Sequence, residues 1–199
     1  MEEKFKNKPE NNIGNKTENN IRNMAENQVG NQIGNQAGRE VFGRVQQSEQ
    51  ETVLEIYRSM VGTDGCTWSM AYPDQRDVES DLSKGALYCM RGPEEKILGL
   101  ISVDEDELCA ALPQWGQTAK RPAELARLAV IAEYQNRGLA RRLILSVMEV
   151  LREQGCDAVR YLVSPGNKKA LASYAKLDFE YRGKAFLYDQ EWLMYEKKL

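Results

Sequence analysis

Apolar positions between residues 48 and 198 follow two periods. Val53, Leu54, Ile56, Tyr57, Met60 and Val61 recur at helical spacing behind Ser48-Glu-Gln-Glu51, a sequence of capping-box form. They predict a helix ending at Gly62, followed by a loop-like stretch, residues 62–76, that carries Trp68 and Tyr72. A shorter helix is predicted over Asp77–Leu82. Ala86–Arg91 and Lys96–Val103 are compact apolar runs separated by Gly92-Pro93-Glu94-Glu95, which reads as a β-hairpin. After an acidic, irregular stretch from Asp104 to Pro122 come an apolar strand, Leu125–Ile131, and a long amphipathic helix, Gly138–Gln154. That helix has Leu139, Leu143, Val147, Val150 and Leu151 on its apolar face and Gly155 as its stop. Ala158–Ser164 reads as a strand, Asn167–Lys176 as a helix, and Phe179–Leu187 with Trp192–Lys197 as a final strand pair. Two strands flanking the long helix make a βαβ unit with parallel strands, and the rest is antiparallel. The predicted class is α/β with a mixed sheet flanked by helices.

The N-terminal segment obeys neither period. Residues 4–35 divide into four octads, KFKNKPEN, NIGNKTEN, NIRNMAEN and QVGNQIGN, with Asn at the fourth and eighth places of each. One apolar residue per octad (Phe5, Ile13, Ile21, Val29) cannot offset the entropy of ordering the chain. The predicted organisation is a disordered Asn/Gln-rich tail over residues 1–39 and a folded domain over 40–199. A weak self-association role for the tail is the competing reading, because Asn/Gln-rich tracts can pair as strands.

Composition then narrows the chemistry. A net charge of −3 argues against a broad nucleic-acid footprint. The chain has no apolar run of membrane-spanning length, and its N-terminus lacks the apolar core of a secretion signal, so a cytoplasmic protein is expected. The four cysteines, Cys66, Cys89, Cys109 and Cys156, match no zinc spacing and read as free thiols. Histidine is absent, which removes Ser-His-Asp and Cys-His chemistry and leaves Glu, Asp, Lys, Tyr or water as general base. No metal site is expected.

The most informative stretch is the strand-to-helix junction, Glu133–Leu143, where Gln135, Asn136, Arg137 and Gly138 run straight into the long helix. Unpaired N–H groups and a positive dipole make such a junction a seat for a phosphate. Gly138 lets backbone approach an anion without a Cβ, Ala140 keeps the next turn thin, and Arg137, Arg141 and Arg142 add charge at the rim. A capped helix with a solvated basic first turn would carry the same residues.

Two motifs together go further. Gln135-x-x-Gly138-x-Ala140, after Glu124–Val130, resembles the acetyl-CoA-binding motif of the GCN5-related N-acetyltransferases (GNAT). Asn167-x-x-Ala170-x-x-x-Tyr174-x-Lys-Leu177-Asp-Phe179 is similar to the next motif of that family, with Asp178 in place of its usual glycine. The resemblance covers about residues 48–197 and implies a GNAT fold whose two central parallel strands splay apart. It further implies acetyl-CoA as acyl-donor cosubstrate, with the backbone of Leu128, Ala129 and Val130 along the pantetheine arm. Gln135, Asn136, Arg137, Gly138, Leu139, Ala140 and Arg141 would cradle the pyrophosphate, Asn167 would stand near the arm and Tyr174 near the sulfur.

The implied reaction is direct attack of a primary amine in a ternary complex, with Tyr174 as acid and Glu124 as base. Alternation along the strand places Glu124 on one face with Ala126, Leu128 and Val130, where apolar surroundings would raise its pKa. The competing reading pairs it with Arg121 or Arg127, and Arg127 itself reads as structural. Trp68 and Tyr72 fall where this family shapes the acceptor site, although loop aromatics also pack at core edges. Asp104-Glu-Asp-Glu107 reads as a solvated turn, and the alternative is an attractor for a cationic amine. The partner is a small-molecule or peptide amine, with neither nucleic acid nor membrane, and a homodimer is left open. The alternative function is a non-catalytic acyl-CoA-binding regulatory module on the same fold.

Overall fold

In the computed structural model residues 40–199 are described, and the octapeptide tail, residues 1–39, lies outside them. In chain order the elements are β1 (Val41–Arg44), α1 (Gln50–Met60), α2 (Gln75–Ser83), β2 (Leu87–Arg91), β3 (Ile97–Asp104) and α3 (Glu107–Ala110). There follow β4 (Pro122–Val130), α4 (Leu139–Glu153), β5 (Ala158–Val163), α5 (Lys168–Tyr174), β6 (Glu180–Leu187) and β7 (Gln190–Lys198).

Two features depart from the sequence pattern at the N-terminal end. β1 was not predicted, because its four residues carry no buried side chain. The cap of α1 is also shifted. Glu49, not Glu51, reaches back, accepting from the Gln46 N–H at 2.7 Å, and residues Gln47–Glu49 form a 3-10 turn that contains Ser48. The reason is a distant partner: Arg91 on β2 grips the Glu49 carboxylate at 2.6 and 2.7 Å.

Among the described residues seven strands form one sheet in the order β1-β2-β3-β4-β5-β7-β6. Every pairing is antiparallel except β4 with β5. That parallel ladder is short: Pro122 opposes Ala158, Ala123 opposes Val159 and Glu124 opposes Arg160. Past Glu124 the two strands part. β4 stays with β3 as far as Val130 against Gly99, and β5 stays with β7 as far as Val163 against Leu193. The result is a wedge-shaped gap whose two edges are backbone, able to bond an extended ligand as an added strand.

A second irregularity lies on β4. Ser102 opposes Ala126 and Leu100 opposes Ala129, so Arg127 and Leu128 together face Ile101 alone. Arg127 has φ +47°, which marks a β-bulge. A bulge reverses the alternation of side chains. Ala123 and Leu125 before it, and Val130 after it, pack with the α4 core, whereas Ala129 packs with the core under α1 and α2. The expectation that Glu124 shares a face with Leu128 and Val130 is therefore wrong. Glu124 shares a face with Ala126 and Arg127, and Leu128 with Val130 lies on the other side.

Helices cover both faces. α4 buries Leu139, Leu143, Ile144, Val147, Met148 and Leu151 against the sheet. α1 buries Val53, Leu54, Ile56, Tyr57 and Met60 on the opposite face, against Leu87, Cys89 and Leu100. Each such side chain contributes about 1.5–3 kcal/mol. Both cores grip the central strands, so the gap between β4 and β5 is held open by well-packed walls.

Candidate functional site

The gap opens into a cleft of about 1440 Å³ that runs the length of β4. Glu124 stands at one end and Val130 at the other, roughly 20 Å apart along a strand.

At the Val130 end, backbone geometry prepares an anion site. The chain leaves β4, makes a 3-10 turn over Ala132–Tyr134, and passes through Asn136 (φ +59°) and Gly138 (φ +74°) into α4. The first helical bond is Arg142 N–H to Gly138 C=O at 3.1 Å. The N–H groups of Leu139, Ala140 and Arg141 precede it and have no intrahelical acceptor. A Cβ at Gly138 would touch only Arg141 and Arg142, at 3.5 Å, so glycine is required there by its left-handed φ and not by crowding. Arg137 and Arg141 line the cleft here, and Lys168 and Lys169 line it as well.

The individual side chains sort differently from expectation. Gln135 turns its amide back to the Val130 carbonyl at 2.9 Å, so that carbonyl is already engaged. Leu139 is buried in the core and offers the cleft backbone only. Arg142, expected at the rim, is not there. It pairs with Glu40 at 2.5 Å and donates to the Arg137 carbonyl at 2.8 Å, which braces the loop from behind.

In the middle of the cleft, Asn167 caps α5, its Oδ1 accepting from the Ala170 N–H at 3.0 Å. The α1–α2 loop crosses the cleft here. A Cβ on Gly65 (φ +80°) would lie 2.8 Å from the Asn167 Cα, so only glycine permits this approach. Tyr174 lies edge-on to Tyr161 with ring centroids 4.6 Å apart. Burial pushes its phenol up to about 12.

The Glu124 end is acidic. Asp104 and Asp106 line it with Glu124, while Glu105 and Glu107 point to solvent. The acidic run is thus half solvated turn and half cleft wall. Neither Arg121 nor Arg127 pairs with Glu124. Arg121 bonds the Gln154 carbonyl at 2.8 Å, and Arg127 holds Asp81 at 2.8 Å and Asp104 at 2.7 Å. Burial, with Asp104 and Asp106 close by, raises Glu124 to about 7. Burial also raises the Cys109 thiol that lies against it. Tyr72 is exposed, its hydroxyl accepting from Arg127 at 3.3 Å. Trp68 packs edge-on against buried Tyr57 at 5.2 Å, although it also borders the cleft. Tyr188, in the turn between β6 and β7, bonds Asp106 through its hydroxyl.

The acidic run reads from sequence as a solvated turn, with an attractor for a cationic amine as the alternative, and Asp104 and Asp106 fall on the wall. Sequence reasoning missed Tyr188 as a wall residue, the buried Cys109 against Glu124, and Arg127 as the ion that organises them. The Tyr188-Asp189 turn has both residues at positive φ (+54° and +58°) and lacks the Asn-Gly signature that announces such turns. Among the described residues no His/Cys/Asp/Glu cluster could hold a metal ion, and no helix is long and apolar enough to cross a membrane. All four cysteines are free.

Comparison with known proteins places this geometry. The Acetyltransferase (GNAT) family model matches residues 53–179, more than half of the chain. An N-alpha-acetyltransferase MAK3 of Arabidopsis thaliana is 38% identical over 55 residues, which are 28% of this chain and 29% of that protein. The match thus spans less than a third of that relative. A GNAT-family acetyltransferase of Streptococcus agalactiae has a TM-score of 0.66 at 19% identity, over 80% of this chain and 95% of its own. An acetyltransferase of Salmonella typhimurium solved with its cofactor acetyl-CoA has a TM-score of 0.63 at 14% identity, over 81% and 94%. At these identities the two structures bear on the fold alone, and they share the mixed sheet described above.

Proposed function

This chain belongs to the GNAT acetyltransferase family, and on that premise we propose that it transfers an acetyl group from acetyl-CoA to a primary amine by direct attack in a ternary complex. The observation that carries the proposal is the parting of β4 and β5 at Glu124, which lays a backbone-edged channel between a helix N-terminus and a carboxylate. The residues fit the donor. The N–H groups of Leu139, Ala140 and Arg141, with Arg137, Arg141 and the bare backbone at Gly138, suit a pyrophosphate. The free edge of Leu128 and Ala129 suits the amides of a pantetheine arm, and the Asn167 cap with small Ala170 leaves room beside it.

The acceptor enters at the acidic end, beside Tyr72 and Trp68. The acceptor attacks as the neutral amine, its ammonium proton having gone to solvent, and Glu124 takes the proton that the nitrogen sheds as it is acylated. The new N–C bond forms as the C–S bond breaks, and the Tyr174 hydroxyl gives its proton to the departing sulfur. A carboxylate near 7 is well matched to this role at neutral pH. A tyrosine near 12 stays protonated and available as an acid. Carboxylates on the wall favour a cationic acceptor, either a small amine or a peptide amine.

Calorimetric titration with acetyl-CoA, followed by CoA release with a panel of diamines and peptides, tests the reading. Wild-type protein should bind the donor and turn over. Gly138→Asp, which forces a non-glycine residue into the left-handed region and adds a negative charge among the N–H groups, should weaken donor binding about 100-fold or more. Tight donor binding with no turnover on any amine would instead support a regulatory acyl-CoA-binding module.

A further inference from the structure

The proposed base has a partner in the sheet. Asp104 on β3 and Glu124 on β4 are direct cross-strand neighbours. Their Cβ atoms are therefore about 4.5–5.5 Å apart on one face, an arrangement that is destabilising for two like charges. What distinguishes the two carboxylates is their donors. Asp104 Oδ2 accepts from Arg127 Nη1 at 2.7 Å, and its Oδ1 accepts from the Glu105 N–H at 2.8 Å. Arg127 cannot swing away, because Asp81 holds its Nη2 at 2.8 Å and its Nε at 3.0 Å. Among the described residues no N–H or O–H donates to Glu124, and the Cys109 thiol lies against it.

Neighbouring carboxylates in a partly buried site titrate as a pair and tend to hold one proton between them. Here the donors decide where that proton resides. Protonating Asp104 would sacrifice a charge-assisted bond to a buried guanidinium, and protonating Glu124 sacrifices nothing comparable. We infer that Asp104 is a positioning residue for acetyl transfer: fixed as a carboxylate by Arg127, it confines the proton of the pair to Glu124. The inference rests on Glu124 being the base.

The other groups facing Glu124 do not supply the same bias. Asp106 accepts from the N–H groups of Leu108 and Cys109, at 2.8 and 3.0 Å, and from the Tyr188 hydroxyl, all neutral donors. Arg160, across on β5, is committed to Glu196 at 2.7 Å and lies over the Trp115 ring. Tyr72, from the α1–α2 loop, is bound to Arg127. The directions of the pKa shifts agree. Burial works against ionised Asp104, yet its bond to Arg127 holds it below the ordinary carboxylate range, while burial and Asp104 lift Glu124.

The titration itself needs no acceptor. The full chain is labelled with 13C-carboxyl glutamate, and the Glu124 resonance is identified by its loss in Glu124→Gln. Its midpoint should lie near 7 in wild type. In Asp104→Asn, which keeps the shape and the acceptor oxygen, the midpoint should fall by about one unit, a tenfold change in proton affinity. Asp106→Asn should move it less. A Glu124 midpoint unmoved in a folded Asp104→Asn protein, as judged by an unaltered amide spectrum away from the site, overturns the pairing while leaving the base reading intact. Turnover that survives Glu124→Gln overturns the base reading, and with it the part assigned to Asp104, whatever the midpoint does.

Discussion

The two ends of the cleft solve different problems with different materials. The end at α4 is made of consecutive residues, Gln135 to Arg141, and offers backbone N–H groups, one glycine at φ +74° and the cations Arg137 and Arg141. The end at Glu124 draws on residues scattered from Tyr72 to Tyr188, contributed by a loop, α2, β3, α3, β4 and the β6–β7 turn. Phosphate recognition needs little more than unpaired donors and positive charge, which one short segment supplies. Tuning a carboxylate takes burial, like charges at a set distance and a cation engaged elsewhere, and these only the folded sheet can assemble. It follows that lesions at the two ends should separate donor binding from chemistry.

The sharpest break is Glu124→Gln. Removing the proposed base should lower kcat/KM by about 10²–10⁴, while acetyl-CoA affinity by calorimetry stays within about twofold. Equal losses in both measurements would dissolve the distinction between the ends. Tyr174→Phe comes next, with kcat down about tenfold and donor affinity kept, because its ring still packs edge-on to Tyr161. Its pH signature is specific. With Tyr174 near 12 and Glu124 near 7, the enzyme-derived part of the wild-type profile should rise through about 7 and show no tyrosine limb below pH 10. An alkaline fall that vanishes in Tyr174→Phe would contradict this.

The same contrast explains what the sequence disclosed. α4, the hairpin of β2 with β3 and the turn proposed to seat the pyrophosphate are local, and periodicity with a few punctuating residues pointed to them. The splay of β4 from β5 came only through resemblance to a family, since no residue of either strand announces where pairing stops. The bulge at Arg127 was invisible, and it reversed the face assigned to Leu128 and Val130. A strand of alternating residues gives no sign that one of them adopts φ +47°. Arg127 read as structural for the same reason. Its partners Asp81 and Asp104 are 46 and 23 residues away, beyond any local pattern. Arg142 erred in the opposite direction, since the segment that neutralises it, at Glu40, carries no motif.

The smallest expected effect concerns stability. Burial raises Glu124 from an ordinary carboxylate value to about 7, so the folded chain holds its proton more tightly than the unfolded chain does. The associated stabilisation is present in full below the unfolded value of 4.5 and is lost as pH rises through 7. Asp104, whose value is lowered, has the opposite sign, and its contribution is lost only as pH falls below the ordinary aspartate range. Comparing pH 5 with pH 8 therefore isolates Glu124. Glu124→Gln, which is neutral at every pH, should gain in Tm relative to wild type on moving from pH 5 to pH 8. The gain is on the order of 1 kcal/mol, about 2–4 °C in a chain of this size. Gly138→Asp, at the other end of the cleft, should show no such pH-dependent gain. A Tm difference between Glu124→Gln and wild type that is flat from pH 5 to pH 8 would mean that Glu124 is an ordinary solvated carboxylate, and the acidic end would then have lost the property that sets it apart from the basic one.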